Sequence, residues 1–575
     1  MTHLSKYVDY LPTVLWSQER DPSQLLGRSL RIFEKILTGI SDGVSPYPDE
    51  DVYISLEEII DDLPNLFHPW RTPAPYLPWL ASWVALTLRQ NWSEYQKRKL
   101  IADIVTIYQQ RGLKTSLQTF LDIYAVSQVK PRIAIDDGEA IFRAAFTADG
   151  RAQLHAVAYS HTVSLHAENL GVLLHPTAVA VDKQNYYIVA DKGGLENLRD
   201  GQKKSWLPAL WRVSSTGEIE YISGTPLPKP NPIHIGQPLT TPAAIVIDEQ
   251  DRCYVLDIGP ETTIWTGTDL VDAPKSGIYR FVRTASTPTR YQISTVIDQS
   301  KQEGQPTLPA IHPVDMVLHP SGHFIVLDRG GHNSANPKIF IVREDGRGVI
   351  EIVLDKTLIR EPTALALESD RSVIIADAGQ QNFLGNLVRP YPAEELAKFA
   401  PDLVRAEFDP DDFQSEWTIT PLFKGKLDPL DNPLVFPTGL VFEMPKSLLV
   451  CDTGLKTGFM DGDASNRLMA EQAAVYRVNL TDPPTITRII SDKKLVHPTK
   501  ITFDRDKNLL ITDRGDNFSR GIEVEWRARL NEFGVIVHFS NQRFIESQER
   551  NQVRGGIASV VEEHKPAHTA WWLEF

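Results

Sequence analysis

Three histidines, His175, His312 and His497, each stand immediately before a proline. Six aspartates, Asp191, Asp257, Asp328, Asp377, Asp452 and Asp513, each stand two residues before a glycine. Imidazoles at one repeated position could converge on a metal ion, and clustered carboxylates could trade protons. The pattern offers a simpler reading of the aspartates. Every copy runs proline, fourteen residues, aspartate, any residue, glycine, from Pro176/Asp191/Gly193 to Pro498/Asp513/Gly515. A carboxylate at the same place in every copy suits a turn cap, accepting backbone N–H bonds while glycine takes a positive φ. Chance would supply on the order of 0.2 such matches in a chain of this length, so the six copies are a repeat.

The elements that must carry these residues follow from the unit. Proline opens a strand without losing a ladder bond, and apolar pairs such as Val179/Val181 and Ile501/Phe503 follow. A polar turn such as Asp182-Lys183-Gln184-Asn185 comes next, then a second apolar strand ending at the aspartate. Two short strands and a tight turn fill the constant spacing. The copies themselves start at uneven intervals, so outer strands and loops occupy the variable remainder. Outer strands are expected at 210–222, 278–282 with 291–297, 339–342 with 349–354, 417–423, and 475–478 with 485–490. Four strands per unit, repeated radially, predict a six-bladed β-propeller. The unit resembles NHL repeats, whose blades begin on a similar proline-led strand and end the second strand with Asp-x-Gly. Strand starts in a propeller face the axial channel, and that resemblance implies that channel histidines can ligate metal. Here Thr241, Glu361 and Phe436 fill the other three positions. Histidines bonded to neighbouring blades are the preferred reading, with a metal at His175, His312 and His497 as the alternative.

Composition narrows the function. A net charge of −15 argues against nucleic acid, whose phosphates call for a basic surface. The longest apolar run, 77–88, is too short to span a bilayer. The first residues lack a basic segment followed by an apolar core, so no signal peptide is expected. Cys253 and Cys451 lie inside strand patterns and read as buried thiols. A cytoplasmic, soluble chain is the expectation.

Before the repeats comes a helical segment. Asp21-Pro22 and Ser55-Leu56-Glu57-Glu58 are helix starts. Leu100, Ile101, Ile104, Val105 and Tyr108 form a stripe on a helix capped by Ser93 and ending at Gly112. Another helix is expected over 115–124. Leu77-Pro78-Trp79-Leu80-Ala81, Trp83, Trp92, Lys97-Arg98, Tyr108, Arg111-Gly112 and Leu117 closely resemble the phage tail protein I-like family. Leu113 departs from the family's usual threonine after Arg-Gly. Lys565-Pro566-Ala567-His568-Thr569 resembles a terminal signature of the same family. Family members are wedge components of contractile-tail baseplates. The resemblance implies partners among other wedge subunits, sheath, and hub or spike proteins, in a particle assembled in the cytoplasm.

The expected organisation is a helical domain over 1–125, a β-rich connector over 126–166, a propeller over 167–540, and a 541–575 segment returning to the tail-protein fold. Strands near 132–135, 141–146 and 154–159 would pair with the C-terminal segment, or 152–166 would give the last blade its outer strand. The insertions 195–209, 259–277, 380–416 and 455–472 are candidate contact loops for particle subunits or a surface ligand, with Phe408 and Phe413 among exposed aromatics. Asp461-Gly462-Asp463 lacks the full calcium-loop pattern and reads as surface. No catalytic residue, cofactor or membrane insertion is expected. The competing readings are a metal-dependent lyase- or lactonase-like propeller, and an adhesive propeller binding glycan or protein.

Overall fold

A computed structural model describes residues 5–15, 24–39, 55–90, 92–125, 131–146, 152–160, 173–197, 203–206, 208–224, 239–259, 263–265, 270–272, 276–286, 289–298, 306–330, 336–380, 400–423, 432–457, 467–515, 519–520, 523–524, 532–539 and 547–574. Backbone contacts divide the chain into two units, 1–127 and 128–575.

The first unit is helical. Its helices are α1 (Leu25–Thr38), α2 (Leu56–Leu66), α3 (Leu77–Trp83), α4 (Glu94–Gln109) and α5 (Lys114–Ala125). Ser55 and Ser93 open α2 and α4 with capping boxes closed by Glu58 and Gln96. On α4 the buried stripe is Leu100, Ile101, Ile104 and Ile107. Val105 and Tyr108, assigned to that stripe from sequence, reach solvent. Val105 lies just past the edge of the 100, 101, 104, 107 arc, whereas Tyr108 stays on it near the helix end, half-exposed, with its hydroxyl donating to the Ala85 carbonyl. Gln96 is buried and donates to the carbonyls of Ile123 and Tyr124, capping the end of α5 from the side.

The second unit holds six four-stranded antiparallel sheets. In chain order, the inner hairpins are Pro176–Val181/Tyr187–Asp191, Pro242–Ile247/Cys253–Asp257, Pro313–Leu318/His323–Asp328, Pro362–Ser369/Ser372–Asp377, Pro437–Met444/Ser447–Asp452 and Pro498–Phe503/Leu509–Asp513. In each, the repeat proline is the register partner of the repeat aspartate. A one-residue change in the spacing would break that pairing and turn the second strand over, which is why the interval is constant. Five of the six turns place a residue at positive φ nine positions after the proline: Asn185, Asp251, Gly322, Lys446 and Lys507.

Each innermost strand touches the next, and the sixth touches the first, so the sheets close into a propeller-like ring. Neighbouring sheets share apolar clusters at all six seams. Threonines after the proline add a polar stitch. Thr177, Thr363, Thr438 and Thr499 donate to the carbonyls of Pro242, Pro437, Pro498 and Pro176, each in the following sheet. The last of these crosses the closing seam.

Closure joins distant parts of the chain. Glu139–Phe146 and Ala152–Tyr159 supply the third and outermost strands of the sixth sheet. Arg132–Asp136 goes elsewhere, pairing antiparallel with Glu532–His538, which pairs in parallel with Ala570–Glu574. The helix Ser547–His564 is the crossover that a parallel pair requires. A side chain at Gly534 would enter the Trp572 ring, with its Cβ 2.0 Å from the nearest ring atom. The C-terminal segment thus groups with the ring and not with residues 1–127. Among the described residues, no helix is long and apolar enough to cross a membrane.

Candidate functional site

The six aspartates hold the loops at the ends of their strands. Asp191 accepts from the N–H groups of His175 (3.1 Å) and Gly193 (2.6 Å). Asp257, Asp328, Asp452 and Asp513 likewise accept from the glycine two residues on and from the residue before the proline. Asp377 accepts from Arg360 and Glu361. In return, the residue after each aspartate donates its N–H to the carbonyl before the proline. All six carboxylates are buried. Burial raises the pKa values of Asp257, Asp377 and Asp452, and these backbone donors oppose it. Oxygens engaged in this way cap turns, and none is presented to a substrate.

The histidines at this end of the ring do not form one cluster. Arg514 reaches between His175 and His497, 3.4 Å from Nε2 of the first and 3.4 Å from Nδ1 of the second. A guanidinium is always charged, so a dication between those imidazoles would meet a cation already there. His312, on the third sheet, gives its N–H to Asp328. Among the described residues, no group of three or more His, Cys, Asp or Glu is placed to hold a metal ion. Glu361 pairs with Arg329 at 3.3 Å; burial raises its pKa and the arginine opposes this.

Two lysines, Lys456 buried and Lys500 partly buried, escaped the sequence reading. Lys456, on the short strand Leu455–Thr457, lies across the seam and donates to the Ala378 carbonyl of the fourth sheet. Burial pulls its pKa down to about 7, against the pull of Asp377 and Glu361. Lys500 of the sixth sheet forms an ion pair with Asp315 of the third, across the middle of the ring. Asp315 is 2% exposed and also accepts from the N–H groups of Met316 and Leu365. The ion pair crosses the space that an axial ligand would occupy. No sequence signal marks either lysine, because each pairs with a residue far away in the chain. The Pro-Thr dipeptides at 176, 362, 437 and 498 were visible, and could have pointed to the seam bonds.

The insertions after the second strands carry small hairpins, at Gly194–Asn197/Lys203–Trp206, Thr263–Trp265/Leu270–Asp272, Leu455–Thr457/Arg467–Ala470 and Ser519–Arg520/Glu523–Val524. Residues 381–399 and the acidic stretch 461–465 lie outside the described residues. The expectation of exposed aromatics at Phe408 and Phe413 is overturned. Asp402–Glu407 is the third strand of the fourth sheet, and the chain after it folds back over the edge. Phe408 stacks on Trp417 with centroids 4.5 Å apart, and both phenylalanines are buried in the core between the third and fourth sheets. Cys253 and Cys451 are buried free thiols whose pKa values burial pushes up.

In the helical unit, Leu77 is core and Pro78 lies in the first turn of α3. Trp92 is buried edge-on against Phe120. Arg98 is engaged within the unit. Its guanidinium binds the carbonyls of Pro69 (2.7 Å) and Thr72 (2.8 Å) and pairs with Glu94, pinning the proline-rich connector to α4. Lys99 pairs with Asp103. Arg111 and Gly112 form the α4–α5 turn, where glycine has a φ of +89°. Trp79 and Trp83 remain exposed, Trp83 by 65%, and both contact Phe67 at centroid distances of 5.5 Å. At the other end of the chain, Lys565 to Thr569 is a turn: Thr569 bonds the Pro566 carbonyl and Lys565 the Thr569 carbonyl. Pro566, Ala567 and His568 sit within it.

Solved structures with likeness to the chain include a streptogramin B lyase (10% identity, TM-score 0.29, covering 68% of this chain and 97% of that one). A glucose dehydrogenase (12%, TM-score 0.32, 61% and 99%) and the virginiamycin B lyase of Staphylococcus aureus (10%, TM-score 0.29, 61% and 97%) are similar too. Likeness at this level says nothing of activity. No curated protein matches. Residues 50–144, the stretch that holds the exposed Trp79 and Trp83, match the family described as Phage tail protein (Tail_P2_I).

Proposed function

We propose that this chain is a structural subunit of a contractile, phage-tail-like particle, a wedge component of its baseplate. The match of residues 50–144 to a phage tail protein carries the reading. The helical unit docks onto other wedge subunits and, through them, onto sheath and hub. The second unit is a six-bladed NHL-like propeller, inserted before the C-terminal Lys565–Thr569 turn, that braces the baseplate or binds a target through its hairpins. The chain acts without catalysis. Aspartates bound up in turns, an arginine between two of the histidines and an ion pair across the ring all support that part of the reading. The test is genetic. Removing the gene is expected to abolish sheath-and-tube particles in electron micrographs. The intact chain should restore them, and a chain carrying Trp79→Asp and Trp83→Asp should not. Normal particles without the chain would overturn the proposal.

A further inference from the structure

Much of the apolar surface of α1 and α2 is exposed. On α1 the side turned inward is Gly27 and Glu34. The Gly27 carbonyl accepts from Ser5 N–H, and the Glu34 carboxylate from Lys6 N–H. Ile32 and Phe33 lie outward, Phe33 exposed by 60%. On α2, Ile59, Ile60 and Leu63 fall on one helical face together with Phe67 just beyond its end, and all four are exposed. Phe67 joins this stripe to Trp79 and Trp83. An amphipathic helix ordinarily buries such a face, and contiguous exposed apolar surface marks an interaction site.

Charge selects the occupant. The polar side of α2 carries Glu57, Glu58, Asp61 and Asp62, and its eleven residues include no base. A second copy of α2 laid on the first would set carboxylate against carboxylate. A helix with lysine or arginine beside its own apolar stripe would gain on both counts.

We infer that α2, extended by Phe67, Trp79 and Trp83, is the docking surface for an amphipathic helix of a different protein, apolar on one side and flanked by basic residues. This rests on the chain being a structural subunit, and it specifies the partner such a subunit fits.

The test uses the intact chain and two synthetic amphipathic helical peptides with the same leucine stripe, one flanked by lysines and one by glutamates. Calorimetric titration at low salt should show the lysine peptide binding at least about tenfold more tightly, with the advantage shrinking as salt is added. Ile59→Asp with Leu63→Asp should abolish binding. Both side chains are exposed, so the fold, followed by circular dichroism, should persist. Glu57→Lys with Asp61→Lys, which leaves two lysines alongside Glu58 and Asp62, should erase the preference. Equal binding of the two peptides, or binding that survives Ile59→Asp/Leu63→Asp, would overturn the inference. So would a dimer of the intact chain that Ile59→Asp dissociates, because a second copy would then cover the face. Peptide binding with these dependences, in a chain absent from tail particles, would leave the docking surface standing and remove the baseplate assignment.

Discussion

Lys500→Met tests the ion pair at the centre of the ring. The substitution keeps the apolar stem and removes the ammonium, leaving the Asp315 carboxylate buried with two backbone donors, at 2.8 Å from Met316 and 2.7 Å from Leu365. Breaking a buried pair by removing one partner costs ~3–5 kcal/mol. The surviving N–H bonds, and the partial exposure of the Lys500 side chain (13%), favour the lower end of that range. The unit spanning 128–575 has about 450 residues and an unfolding entropy of ~0.9 kcal/mol/K, so a loss of ~3 kcal/mol lowers its melting temperature by ~3 °C. Scanning calorimetry of the full chain should resolve this shift. The double variant Asp315→Leu/Lys500→Leu removes both charges and should recover most of the loss. A fall of less than ~1 °C in Lys500→Met, or a double variant less stable than the single one, would refute the claim that this pair is buried and coupled.

Two more outcomes follow from the ring. Thr499→Val deletes the hydroxyl bound to Pro176 across the closing seam at 2.9 Å, and should cost ~1–2 kcal/mol in urea unfolding. Loss at Thr177→Val should be similar, because its bond to Pro242 is equivalent; no loss at either position would show the stitches to be incidental. Lys456 is protonated at a lower pH in the fold than when unfolded, with a folded pKa of about 7 against an ordinary 10.5. The unfolded chain therefore binds the extra proton between those values, and stability from this group rises as pH climbs from about 7 toward 10.5. Lys456→Met should flatten that rise in urea midpoints measured at pH 7, 8 and 9. Parallel curves for the two proteins would contradict it.

The repeat was legible because its physics is local. Proline and aspartate are register partners across one hairpin, so their spacing could not drift, and the turn residue at positive φ sits at a fixed offset in five copies. The outer strands were visible as apolar alternations of the kind a half-covered sheet demands. Closure was not legible. Only the outer-strand placement occurs as expected, with 139–159 on the sixth sheet; Arg132–Asp136 lies beside Glu532–His538, upstream of the C-terminal segment, and no pattern at 132–159 names these partners. Phe408 and Phe413 misled for a related reason: acids and prolines around them read as loop, while an unrecognised strand just before them folded them into a core. The histidines shared a repeat position, but only the structure shows Arg514 between two of them. The exposed faces of α1 and α2 also required coordinates, since a periodic apolar stripe looks the same whether it faces inward or outward.

Sedimentation of a native lysate, with mass spectrometry of the fast fraction, tests the central claim most directly. The account predicts this chain in that fraction together with sheath, tube and other baseplate proteins, at a constant ratio to them. Its recovery only among slow species of the size of a single chain would contradict the account and return the ring to the free enzymes and binders.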